Sequence, residues 1–173
     1  LVDSVKRIQQ FFFFFFFLTL FLKDLATFLQ KEFDEIKIDQ VRFGAVHLDV
    51  WFDNMHFNKE NKVTLFDFDF CGNGWLCLDI SYFLFQLFIT NPNEKDYEAK
   101  AVTFLKGYES KGEISEEEKR IISFVCLGVM VYFLSMQCDR FDHWTNIFLN
   151  EDHLKRFTGN LKRWMDYNKI TIQ

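Results

Sequence analysis

The chain has 173 residues, 49% of them apolar and 26% charged, with a net charge of -5 and a pI near 5.4. That is enough apolar material for one buried core, and the acidic balance argues against a general nucleic-acid binder, which needs a basic surface. Cys71, Cys77, Cys126 and Cys138 form no C-x-x-C pair, so zinc-ligand spacing is missing and reduced, mostly buried thiols of a cytoplasmic protein are expected.

Leu1 rather than Met opens the sequence, so other sequence is expected before it. Phe11 to Phe17 are seven consecutive phenylalanines, followed by Leu18, Thr19, Leu20, Phe21 and Leu22. This apolar stretch of 12 residues is shorter than the roughly 17–25 a spanning helix needs. A charged segment follows with no small-residue cleavage site, so no membrane association is expected. The run itself has neither helical period nor strand alternation. Its plain reading is a buried helix segment rich in Phe, and its role stays open.

From Leu18 the apolar residues Leu22, Leu25, Phe28 or Leu29, and Phe33 recur at three- and four-residue steps, with Lys23, Asp24, Gln30 and Lys31 between them. That spacing predicts an amphipathic helix. Residues 41–47 read as a short extended run. Residues 55–57 and 63–69 read as two strands around the polar turn Asn58-Lys59-Glu60-Asn61-Lys62. Helices are predicted at 77–89, from Pro92 to about 109, from a capping box at Ser115-Glu116-Glu117-Glu118 to about 138, and at 152–167. Glu113, Glu116, Glu117 and Glu118 are expected on a solvated helix start. His56, His143 and His153 are expected to be surface or structural. With no Pro/Gly-rich linker, the expectation is an α+β chain, mostly α, with a small β-hairpin, forming a single partial domain over 1–173.

The chemistry concentrates in His47-Leu48-Asp49-Val50-Trp51-Phe52-Asp53-Asn54 and, thirteen residues after Asn54, in Leu65-Phe66-Asp67-Phe68-Asp69. A phosphoryl-transfer site needs a carboxylate to orient a nucleophilic hydroxyl and accept its proton, a role that suits Asp49. It needs hard oxygen ligands for magnesium, a role that suits Asn54 and Asp67. A turn centred between Glu60 and Asn61 would set Asn54 opposite Asp67 in an antiparallel pair. Taken singly, Asp49 and Asn54 are ordinary turn formers, Asp-Phe-Asp an ordinary acidic strand end, and His47 an ordinary core histidine. The joint spacing favours the site.

These residues resemble the catalytic loop and metal-binding strand of the aminoglycoside phosphotransferase and choline kinase family. Its pattern is His-Gly-Asp, an Asn five residues after the Asp, and an apolar strand ending in Ile-Asp-Phe-Asp or similar. Gly72, Gly74, Trp75 and Asp79 resemble the family's glycine-rich turn and following helix start. The resemblance spans about residues 44–85. It implies the C-terminal lobe of a protein-kinase-like fold, its hairpin carrying the metal site. It also implies that Asp49 is the catalytic base, that Asn54 and Asp67 bind Mg2+, and that ATP is the phosphoryl donor to a hydroxyl of a small molecule. His47 would brace the loop, Asp79 would anchor it from the next helix, and Asp69 is a candidate for outer support of the metal. Leu48 in place of Gly, and Trp51 where His is common, depart from the pattern.

A kinase of this fold also needs a phosphate-covering loop, a strand lysine and a helix glutamate paired to it. None can be placed before His47, so the N-terminal lobe is expected to be absent and the chain alone to be inactive. Self-association through the surface such a lobe would cover is a further expectation. The competing reading is a non-catalytic kinase-like remnant or a helical protein-binding module.

Overall fold

The structure is a computed structural model that describes residues 2–139 and 149–172, with side chains from Phe16 onward. Helix α1 runs Val2–Asp34, and a 3-10 turn at Ile38–Gln40 leads into strand β1, Phe43–Val46. A second 3-10 turn, Phe52–Asn54, precedes β2, Met55–Phe57, and β3, Val63–Leu65. Strand β4, Gly72–Trp75, is followed by helices α2, Cys77–Thr90, α3, Glu94–Glu109, α4, Glu116–Asp139, and α5, Glu151–Tyr167. The predicted helices and hairpin form, but the strand expected over 63–69 stops at Leu65. The fold is α+β, mostly α.

Two compact units divide the described chain. The first holds α1, the end of α4 from Met130, and α5. Its core joins Leu18, Leu134 and Leu154, with Leu22, Leu149 and Phe157 packed against them. The predicted amphipathic face of α1 is there: Leu18, Leu25 and Leu29 are buried and Lys23, Asp24, Gln30 and Lys31 exposed. The Phe run differs from its plain reading. Phe16 and Phe17 lie in α1 but are 60% and 51% exposed, while the side chains of Phe11 to Phe15 lie outside the described residues, as does His143.

The second unit spans Ile36–Val129 and contains both small sheets. In one, β1 pairs antiparallel with β4, Gly44 facing Gly74. The stretch read as a glycine-rich turn is therefore partly a strand. The absent side chains are what let it lie close: a Cβ at Gly74 would come within 3.0 Å of Leu78 Cδ1 and 3.1 Å of Val46 Cγ2. Directly after β4, α2 is apolar on nearly every face, and Cys77, Ile80, Leu84, Phe85, Leu87 and Phe88 are buried, as expected of a helix with no solvent side. Asn93 caps α3 by accepting from the Lys95 amide, which starts that helix just after Pro92.

The capping box at α4 forms: the Ser115 hydroxyl accepts from the Glu118 amide at 3.0 Å and Glu118 Oε2 accepts from the Ser115 amide at 2.9 Å. The expected solvated helix start is corrected for two of its acids. Glu117 and Glu118 are buried because the chain entering β1 lies over them. Glu118 takes the Arg42 guanidinium at 3.0 Å and its backbone amide at 3.2 Å, and Glu117 takes the Lys37 amide at 2.9 Å. Among the described helices α4 alone is long and apolar enough to cross a membrane, and half of that window is buried within the protein.

Candidate active site

The segment between β1 and β2 is held from below by one carboxylate. Asp79, in the first turn of α2, accepts the His47 amide at 2.9 Å through Oδ2 and the Leu48 amide at 2.7 Å through Oδ1. Consecutive amides pointing the same way require a sharp bend, and Leu48 makes it with φ 63. Left-handed backbone suits glycine and costs a side-chain-bearing residue roughly 1–2 kcal/mol. Leu48 keeps the geometry that Gly would adopt, at the expense of strain.

His47 is buried and joins the two halves of the site. Its Nε2 donates to the Phe66 carbonyl at 3.0 Å, which leaves Nδ1 to accept the Asp49 amide at 3.3 Å. The two bonds assign the neutral Nε2–H tautomer. Its ring lies 4.6 Å from that of Phe68.

Asp49 sits just beyond the bend, half-buried, with a donor on each oxygen. Asn54 Nδ2 donates to Oδ2 at 2.8 Å and also to the Asp49 carbonyl at 3.0 Å. The Tyr82 hydroxyl donates to Oδ1 at 2.6 Å. Burial, then the bond to Asp49, pushes the Tyr82 phenol well above its ordinary range, so it stays a donor. Both N–H groups of the Asn54 amide face Asp49, so Asn54 Oδ1 is the oxygen left for another partner.

The hairpin register differs by one residue from the sequence expectation. Met55 faces Leu65, His56 faces Thr64 and Phe57 faces Val63. The turn is a five-residue loop, 58–62, closed by the Asn58 amide on the Lys62 carbonyl and by the Asn58 side chain on the Glu60 and Lys62 amides. Asn54 therefore stands opposite Phe66, whose amide donates to the Asn54 carbonyl at 3.2 Å. In a regular ladder that slip would turn Asp67 away. The ladder ends at Leu65 instead, and Asp67 has φ 65, so strand alternation no longer sets its direction. Phe66, bonded on one side to Asn54 and on the other to His47, fixes where Asp67 begins. Asp67 and Asp69 are both exposed, and the Asp67 carboxylate has no hydrogen-bond partner among the described residues.

Among the described residues no cluster of three His, Cys, Asp or Glu side chains stands ready for a metal. The oxygens that could serve a metal here are Asn54 Oδ1, left over by the two bonds to Asp49, and the carboxylate of the exposed Asp67. That set is too small for an all-protein cage and fits a magnesium ion that keeps water and phosphate oxygens.

The model of the phosphotransferase enzyme family matches residues 18–113, more than half of the chain. The chain belongs to this family. As a phosphotransferase-family chain it is 30% identical over 92 residues to a homoserine kinase of Gluconobacter oxydans, covering 53% of this chain and 28% of that protein. It is 27% identical over 104 residues to a homoserine kinase of Bradyrhizobium diazoefficiens, covering 60% of this chain and 31% of that protein. Its fold matches that of an amicoumacin kinase in complex with AMP-PNP, Ca2+ and Ami, with a TM-score of 0.62 at 24% identity, over 89% of this chain and 46% of the kinase. The kinase-like fold is thereby shown. The phosphotransferase-family chain spans about a third or less of these curated relatives and under half of the solved kinase.

Sequence reasoning did not single out Tyr82 for this site. Its signal was present: it lies three residues after Asp79, on the same face of α2.

Proposed function

We propose that this chain carries the catalytic loop of an ATP- and magnesium-dependent phosphotransferase acting on a hydroxyl of a small molecule. The observation that carries the reading is the Asn54 amide, whose two N–H groups both face Asp49, at 2.8 and 3.0 Å. One side chain thus ties the carboxylate suited to accept a proton to an oxygen suited to hold a metal. Asp49 orients the acceptor hydroxyl and takes its proton. Asn54 and Asp67 would hold magnesium, which when bound offsets the charge of the donor phosphates. His47 and Asp79 fix the loop, and Asp69 lies near enough in sequence to support Asp67 from outside. The names of the relatives make homoserine the first acceptor to screen, with amicoumacin-like antibiotics next.

A kinase of this fold also needs a phosphate-covering loop and a lysine–glutamate pair. We place these outside this chain and propose that the chain alone turns over very slowly. The test is ADP release from magnesium-ATP with homoserine, in this chain and in any longer protein containing it. Asp67→Ala should abolish magnesium-dependent turnover there at only a small cost in thermal stability, because Asp67 is exposed and the cost comes from its backbone at φ 65 alone. Full activity in that variant would remove Asp67 from the ligand set. We further propose cytoplasmic residence for the active protein, a compartment that supplies ATP.

Self-association is a second reading with its own observation. Phe57, Val63, Leu65, Phe66 and Phe68 are all exposed around the hairpin, an apolar group of a kind that marks contact surfaces. Sedimentation of the chain at several concentrations tests it, and a monomer throughout would end it.

A further inference from the structure

We infer that Tyr82 is a positioning residue for phosphoryl transfer: its buried hydroxyl holds one oxygen of Asp49 while Asn54 holds the other, clamping the carboxylate in one orientation. The inference rests on the reading of Asp49 as the base.

The first two turns of α2 grip three consecutive residues of the loop. Asp79 takes the amides of His47 and Leu48, and Tyr82, one turn further along, takes the side chain of Asp49. Phe83, next on the helix, packs its ring 5.7 Å from that of Phe52 in the turn that carries Asn54. Thus α2 acts as a template for the loop from His47 to Phe52, and Tyr82 is the one point where it touches the carboxylate. At 2.6 Å the contact is in the range of a charge-assisted O–H···O⁻ bond. Tyr82 is only 6% exposed, so water does not compete for it.

The clamp leaves the base usable. A carboxylate offers about four lone-pair sites, and the bonds from Tyr82 and Asn54 occupy one on each oxygen. A substrate hydroxyl can still donate to either. The clamp removes rotation about the Asp49 side chain, and in phosphoryl transfer positioning accounts for much of the rate.

The experiment compares Tyr82→Phe, which keeps the ring and deletes only the hydroxyl, with the parent. In the chain itself, the carbon NMR signal of the Asp49 carboxylate, assigned by its loss in Asp49→Asn, should shift and broaden. In a form that phosphorylates homoserine, Tyr82→Phe should lower kcat by about tenfold or more, the scale of a lost hydrogen bond to a charged group, with KM for ATP little changed and the melting temperature lower by roughly a few degrees. An Asp49 signal that keeps its position and width overturns the inference regardless of activity, and so does an unchanged kcat. Failure of the phosphotransferase reading looks different: there Asp49→Asn leaves transfer intact while the Asp49 signal still responds to Tyr82→Phe.

Discussion

At the scale of single residues, the site is built on two left-handed positions, neither occupied by glycine. Leu48 at φ 63 and Asp67 at φ 65 each begin a segment whose direction matters, toward Asp49 in one case and at the strand exit in the other. Asp tolerates this backbone better than most residues, because its short polar side chain can bond locally. Leu does not. Leu48→Gly is expected to relieve strain of roughly 1–2 kcal/mol and to give back about 0.5–1 kcal/mol through greater freedom of the unfolded chain. The net should be a small gain in stability, read as a higher denaturant midpoint at unchanged slope. A lower midpoint would mean that packing of the half-buried Leu48 side chain outweighs its backbone strain.

At the scale of elements, the β1–β4 ladder sets the height of the loop above α2, and small residues make that possible. Gly74 and Gly72 sit in the same strand but differ in surroundings. A Cβ at Gly74 would press on Leu78 and Val46, whereas one at Gly72 would meet nothing within 4 Å. Gly74→Ala should therefore cost about 1–3 kcal/mol, as overpacking does, and Gly72→Ala should be close to neutral, both measured by chemical unfolding. Equal effects would show that this close approach is absorbed elsewhere. The start of α4 is a second such element. Glu118 is fully buried on the Arg42 guanidinium while also completing the cap with Ser115. Glu118→Ala removes the carboxylate partner of Arg42, which keeps its contact with the Tyr108 ring, and should cost about 2–3 kcal/mol, against about 1 kcal/mol for Ser115→Ala, which removes only the cap. If the two costs match, the ion pair contributes nothing beyond capping.

At the scale of the whole molecule, stability should respond to acid through Glu117. Arg120, aided by the Lys37 amide, holds this carboxyl down at about 2, from an ordinary value of 4.5. Between those values the unfolded chain binds a proton that the folded one refuses. The contribution is therefore complete above pH 4.5 and is lost as pH falls toward 2. Glu117→Gln should flatten the fall in unfolding midpoint over that window and lower the midpoint at pH 7. Parallel curves for the two proteins would exclude this linkage. The same carboxylate joins Lys37, on the way into β1, to the start of α4 eighty positions later, so its loss is expected to loosen the approach to the active loop.

The sequence by itself determined the helices, because amphipathic spacing from Leu18 to Phe33, the capping box at Ser115 and the apolar stretch after Cys77 are local signals that their neighbours do not override. It also determined the chemical inventory of the loop, since the spacings of His47, Asp49, Asn54, Asp67 and Asp79 can be read along the chain. Only the tertiary structure decided the rest. The hairpin register slipped by one residue because an odd-length loop, closed by the Asn58 side chain, outweighed the symmetric turn that spacing suggested. Gly72 to Trp75 became a strand because β1 was there to pair with it. Glu117 and Glu118 are buried because the chain entering β1 folds over them, and Tyr82 reaches Asp49 because α2 passes beneath the loop. All but the hairpin register depend on a partner distant in sequence, and a pattern read residue by residue holds no information about which distant partner will arrive.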